Sequence, residues 1–141
     1  MIIRRFEDND AEAVSLLITR NFLEVNINDY TEKQMKALSN KYDADKVKQI
    51  ASYAHTYVVC EDEKIIGTGS ISSFWGSKTE SILLTIFVLP ELHHQGIGTQ
   101  IIKALENDEL FLRANRIEIP ASITACKFYE KMGYNYKNNK K

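Results

Sequence analysis

The sequence predicts a mixed α/β fold, a largely antiparallel sheet with helices on both faces, and three observations carry the prediction. Apolar residues first recur at helical spacing, between Val14 and Ala54. From Thr56 to Val88 the pattern turns β-rich, broken by two polar turns. After Pro90 the helical period returns, interrupted by a short alternating stretch at Arg116 to Ile119. A chain of 141 residues suits one domain spanning 1–141.

The elements follow in order. Ile2 to Arg5 reads as a short strand. Val14, Leu17, Ile18, Asn21, Phe22 and Val25 form the stripe of an amphipathic helix that Asn9 or Asp10 can cap. Thr31 with Glu32 opens a second helix to about Leu38, and Asp43 begins a third with Val47, Ile50, Ala51 and Ala54 on one face. Thr56 to Cys60 and Ile65 to Phe74 read as a hairpin around Glu61-Asp62-Glu63-Lys64. Gly76-Ser77-Lys78 is a turn, and the nearly continuous apolar run in Glu80 to Val88 suits a strand buried on both faces. In the next helix Ile97, Ile101, Ala104, Leu105 and Asp108 share a face on which only the last is polar. Arg116 to Ile119 reads as a parallel strand. Ser122 to Met132 follows as a helix ended by Gly133, and Tyr134 to Lys137 starts a last strand.

Composition narrows the function classes. A net charge of −1 and a pI near 6.3 give no general attraction to nucleic acid or to an anionic membrane. No apolar run reaches the roughly 20 residues that span a bilayer, and the start MIIRRFEDNDAEA lacks a signal-peptide layout, so the expected location is cytoplasmic. Cys60 and Cys126 suggest small buried hydrophobes; a disulfide between them stays open, and they are too few for a zinc site. His93 and His94 are adjacent and would face apart on a strand, so no metal is expected.

The most informative stretch runs from Phe87 to Thr99: a strand end, a polar loop and a helix start. Gly96 and Gly98 let backbone amides approach an anion, and a helix N-terminus favours one there. The turn reads as a pyrophosphate cradle or as a plain structural turn. It is neither a P-loop, since Thr99-Gln100 follows Gly98 where Lys-Ser or Lys-Thr is needed, nor a dinucleotide fingerprint, since Ile101 stands where a small residue is needed.

The stretch Val88-x-Pro90-x-x-His93-x-x-Gly96-Ile97-Gly98 resembles the acetyl-CoA signature of the GNAT acetyltransferase superfamily. Ser122 to Tyr134, with Ala125, Phe128, Tyr129 and Gly133, resembles that superfamily's second signature. His93 stands where the family usually has Arg or Gln, and Ser122 where it often has Asn. The resemblance implies two strands that splay apart, Glu80 to Val88 and Arg116 to Ile119, with the pantetheine arm of acetyl-CoA between them. It places Phe87, Val88, His93, His94, Gln95, Gly96, Ile97, Gly98, Thr99 and Ser122 at the cofactor. Tyr129 corresponds to the family tyrosine that protonates the leaving thiolate, the other reading being a core aromatic. A base is expected on the fourth strand, where Glu80 is the candidate; its other reading is a solvated strand end. Thr85 is a conspicuous polar residue mid-strand.

The implied function is N-acetyl transfer from acetyl-CoA to an amine of a small molecule or peptide, with a catalytically weak acyl-CoA-binding regulatory module as the alternative. The acceptor should meet the region Phe22 to Tyr42 and the Trp75 turn, where Glu24, Asp29 and Asp43 would attract a cationic amine and Tyr30, Tyr42 and Trp75 would form a wall. The family has a further strand after the one starting at Tyr134, and only Lys140 and Lys141 remain here after Asn138-Asn139. The expectation is either a homodimer covering that edge or a frayed tail after Lys137.

Overall fold

A computed structural model describes residues 1–25, 30–73, 78–93 and 95–119, together with Tyr129 and Tyr134. In chain order it contains β1 (Ile2–Arg5), α1 (Ala11–Glu24), α2 (Glu32–Lys41), α3 (Ala44–Tyr53), β2 (His55–Glu61), β3 (Lys64–Ser73), β4 (Glu80–Val88), α4 (Ile97–Glu106), α5 (Glu109–Leu112) and β5 (Arg116–Glu118). Short 3-10 turns precede α1 at Asp8–Asp10 and follow β4 at Pro90–Leu92. The five strands lie in sequence order; the first four pair antiparallel and β5 runs parallel to β4. The mixed α/β architecture expected from the periodicities is the one observed.

Local chemistry accounts for the element ends. Thr31 accepts from the Gln34 amide at 3.1 Å while Gln34 accepts from the Thr31 amide at 3.0 Å, a reciprocal cap that starts α2. Asp43 starts α3 by accepting from the Lys46 amide at 2.8 Å. Asp62 and Glu63, both at positive φ, make the tight turn of the β2–β3 hairpin.

Alternation along β2 sends its side chains to two cores. Val58 packs with Val14, Ile18, Phe22, Met35 and Val47 beneath α1–α3, whereas Val59 packs with Ile97, Ile101 and Leu105 of α4. The α4 side is close-fitting. A Cβ placed on Gly69 would lie 2.5 Å from Ile101 Cγ2, so α4 reaches its place on β3 because position 69 has no side chain.

One expectation is corrected. Asp108 does not continue the apolar face of α4, which ends at Glu106. It caps α5, accepting from the Leu110 amide at 2.9 Å, and is buried where it also accepts from Tyr57 Oη at 2.6 Å and meets His55 Nδ1 at 2.9 Å. The 3.6-residue period cannot distinguish a helix that continues from one that stops and restarts on the same side. Burial pushes the Asp108 carboxyl up, but the Tyr57 hydroxyl, the Leu110 amide and the His55 ring together hold it below the ordinary range. The expected Ser122–Met132 helix, its end at Gly133, the Gly76 turn and the strand from Tyr134 fall outside the described residues, apart from two positions. Tyr129 is helical, and Tyr134, in no regular element, donates its amide to the Tyr129 carbonyl at 3.0 Å and its hydroxyl to Glu106 at 3.0 Å.

Candidate active site

The site begins with a defect in β4. Glu80, Ser81 and Ile82 pair with Arg116, Ile117 and Glu118, yet β4 continues six residues beyond that pairing to Val88. On its other edge the register against β3 slips, from Thr68 opposite Phe87 to Ser70 opposite Leu84, and Thr85 within the slip has φ of 48°. A threonine in this region costs about 1–3 kcal/mol and persists only if its surroundings hold it. Here Thr85 Oγ1 lies 3.0 Å from Ser70 Oγ, which lies 2.8 Å from the buried Thr56 Oγ1.

Past the bulge a cavity of about 800 Å³ opens between β4 and the helices. Leu83 through Phe87, Ile119 and Tyr129 line it from the sheet side. Phe22, Met35, Tyr42 and Ile50 line it from α1–α3, and the Phe22 ring packs edge-on to both Tyr42 and Phe87 with centroids 5.5 Å apart.

At the C-terminal end of β4 the chain turns into α4 through Gly96 at φ of 82°, a value glycine adopts without strain. No side chain caps α4 and no acid stands in its first turn, unlike α2 and α3. A Cβ on Gly96 would meet nothing within 4 Å, so the space before the helix is open. The first-turn amides of Ile97, Gly98 and Thr99 therefore face that opening with the positive end of the helix dipole, an arrangement suited to phosphate. Gln95 is exposed beside it and Ile97 is buried in the core.

A polar clamp holds this end of β4. His93 Nε2 lies 2.9 Å from the Val88 carbonyl and 3.1 Å from Asn21 Oδ1, and Asn21 Nδ2 donates to the same carbonyl at 2.8 Å. Both neighbours of that ring nitrogen are acceptors, so it donates, and it is committed to protein atoms. Arg20 bridges Glu24 at 2.8 Å and Glu91 at 2.7 Å, tying the loop to α1 and lowering the Glu91 carboxyl to about 2.

Phe87 and Tyr129 thus line one cavity, and the Gly96–Thr99 turn follows the C-terminal end of the same strand. Glu80 stands apart: its carboxylate pairs with Arg116 at 3.0 Å where β4 and β5 are still joined, and the β4 residues that line the cavity begin at Leu83. His94, Ser122, Asp29 and Trp75 fall outside the described residues. Tyr30 and Tyr42 do line the cavity. Of the acids expected to draw a cation, Glu24 pairs with Arg20 and Asp43 caps α3. Reading the sequence missed the clamp, although a lone Asn21 in an apolar stripe was its signal, and missed Lys41 and Lys46, which also line the cavity. Among the described residues no group of three or more potential metal ligands is found, and no helix is long and apolar enough to cross a membrane.

Comparison with known proteins bears on the family and the fold. The family model for the acetyltransferase (GNAT) domain matches residues 52–136. A GCN5-related N-acetyltransferase from Rhodopseudomonas palustris superposes with a TM-score of 0.80 at 22% identity, covering 96% of this chain and 82% of that one. The PaiA N-acetyltransferase from Thermoplasma acidophilum, solved with coenzyme A, gives 0.81 at 16% identity, covering 99% and 92%. Glucosamine-6-phosphate N-acetyltransferase from Arabidopsis thaliana gives 0.66 at 17%, covering 96% and 92%. No curated protein matched in sequence. At these identities the structural likenesses bear on the fold.

Proposed function

The chain belongs to the GNAT acetyltransferase family, and from that premise we propose that it transfers the acetyl group of acetyl-CoA to a primary amine. The observation that carries the reading is that β4 runs six residues past its described pairing with β5, together with the uncapped start of α4. The first offers a strand edge without a partner among the described residues for an extended, amide-bearing arm, and the second offers amides for a pyrophosphate. The Thermoplasma relative's coenzyme A complex supports this donor.

In this reading the amides of Ile97, Gly98 and Thr99 take the pyrophosphate, and the β4 edge around Phe87 and Val88 takes the arm. The Asn21–His93 clamp acts as a positioning device, fixing the carbonyl of Val88. The neutral amine nitrogen attacks the thioester carbon, the C–S bond breaks, and the proton lost by the attacking nitrogen passes to water, from which Tyr129 recovers the proton it gives to the sulfur. Tyr129, at the cavity wall, donates its hydroxyl proton to the departing sulfur. Glu80 we read as the partner of Arg116 that closes the joined end of the strands.

One feature favours the alternative of an acyl-CoA-binding module: none of the described lining residues is a carboxylate, so no base is assigned. Thermal unfolding with acetyl-CoA tests the donor site, which should raise the melting temperature by mass action. Gly98→Trp, whose ring fills the space over the first turn, should lose that shift while its ligand-free melting temperature stays near that of the wild type. Equal shifts in both proteins would sink the donor site. Binding without thiol release, for any amine in a broad panel, would select the binding module.

A further inference from the structure

We propose that the acceptor carries an anionic group, a carboxylate or a phosphate, recognised by Lys41 and Lys46 together; the inference rests on the acetyltransfer reading above. These two lysines are the only charged residues among the described lining of the 800 Å³ cavity. Lys41 ends α2 and Lys46 stands in the first turns of α3, so the corner between the helices brings them to one rim.

Neither forms an ion pair among the described residues. Lys46 Nζ has a single contact, to Gln49 Oε1 at 3.4 Å, whereas Lys36, on the same helix as Lys41, is paired with Glu32 at 2.9 Å. Asp43, one residue beyond Tyr42, is committed to the Lys46 amide. The other polar groups here are the hydroxyls of Tyr30, Tyr42, Tyr53 and Tyr129, the Thr85 hydroxyl and the Gln34 amide. The Tyr42 hydroxyl is pushed above its ordinary range by burial and by Tyr53, so it stays protonated and neutral.

Among the described lining residues, a purely cationic acceptor such as a polyamine would meet two positive charges and no counter-charge. An acceptor with a negative group would pair with them, its apolar body lying against Phe22, Met35 and Ile50. The same field favours the neutral form of the acceptor nitrogen, because a nearby like charge lowers an ammonium's pKa. That effect eases deprotonation in a site whose described lining offers no carboxylate.

Calorimetric titration with four probes tests this without requiring turnover: 3-phenylpropionate, phenyl phosphate, 3-phenylpropionamide and spermidine. At least one of the two anions should bind about 10-fold or more tighter than the amide and spermidine, the scale of one charge-assisted contact; the tighter of the two identifies carboxylate or phosphate. Lys41→Gln/Lys46→Gln, which keeps both stems, should erase the preference and leave the acetyl-CoA melting shift intact. Equal affinities, tightest binding of spermidine, no binding of either anion, or a preference that survives in the double variant would each overturn the proposal. Absence of an acetyl-CoA shift in the wild type would instead remove the acetyltransfer reading on which it rests.

Discussion

On the face of the sheet covered by α4, Gly69 admits Ile101 so closely that a Cβ would sit 2.5 Å from its methyl, and Asp108 is met by Tyr57, His55 and the Leu110 amide. On the face covered by α1–α3, β4 bends at Thr85 and leaves an 800 Å³ space walled by aromatics and lined by two lysines that form no ion pair among the described residues. Both faces are built from the same five strands. The first uses their regular pleat for packing, and the second departs from it and leaves a cavity. Substitutions on the α4 face should therefore register as stability, and those around the cavity as rate or binding.

The sharpest way to break this contrast is Tyr129→Phe. If the hydroxyl acts on the leaving sulfur, kcat should fall by up to ~10²–10⁴-fold, an upper guide because a thiolate leaves readily. Acetyl-CoA affinity and melting temperature should stay close to wild type, since the charge develops only as the reaction proceeds. Steady-state kinetics beside a binding titration checks it. An unchanged kcat would return Tyr129 to the core and remove the contrast at its strongest point.

Gly69→Ala probes the other face. Ile101 is buried and has no room to give, so the new methyl should cost about 1–3 kcal/mol in chemical denaturation. Turnover per folded molecule should hardly change. A stable variant with lost activity would mean that the two faces are coupled rather than divided.

The smallest effect concerns pH. The Asp108 carboxyl is held below its ordinary range in the folded chain, so its contribution to stability is present above the unfolded value of about 3.9 and is lost as pH falls through the lower folded value. Melting temperature should drop more steeply below about pH 4 in the wild type than in Asp108→Asn, by on the order of a few degrees. Parallel curves for the two proteins would show that the Tyr57–Asp108–His55 cluster carries no such linkage.

Much of this architecture was legible because it is local. The 3.6-residue stripe of Val14, Leu17, Ile18 and Phe22, the caps at Thr31 and Asp43 and the strand limits Glu80 and Val88 all follow from propensities and hydrogen bonds made within a few residues. The glycine turn was legible for the same reason: a helix start without a capping side chain announces itself in sequence. Asp108 was misread because a restart of the helix at Glu109 leaves the apolar period unbroken.

The long-range facts were not available in this way. That Glu80 meets Arg116 rather than the cavity depends on which residues of β5 fall opposite β4, a register fixed 36 residues away. That Lys41 and Lys46 rim the cavity, while Glu24 and Asp43 are committed elsewhere, depends on how α2 and α3 settle against β4. By itself the sequence determined most of the order of the described elements, the place of the glycine turn and, through two motifs, the family. The tertiary structure alone decided which charges line the cavity, because a side chain's environment is set by partners distant in the chain, and only packing brings them within a few ångströms.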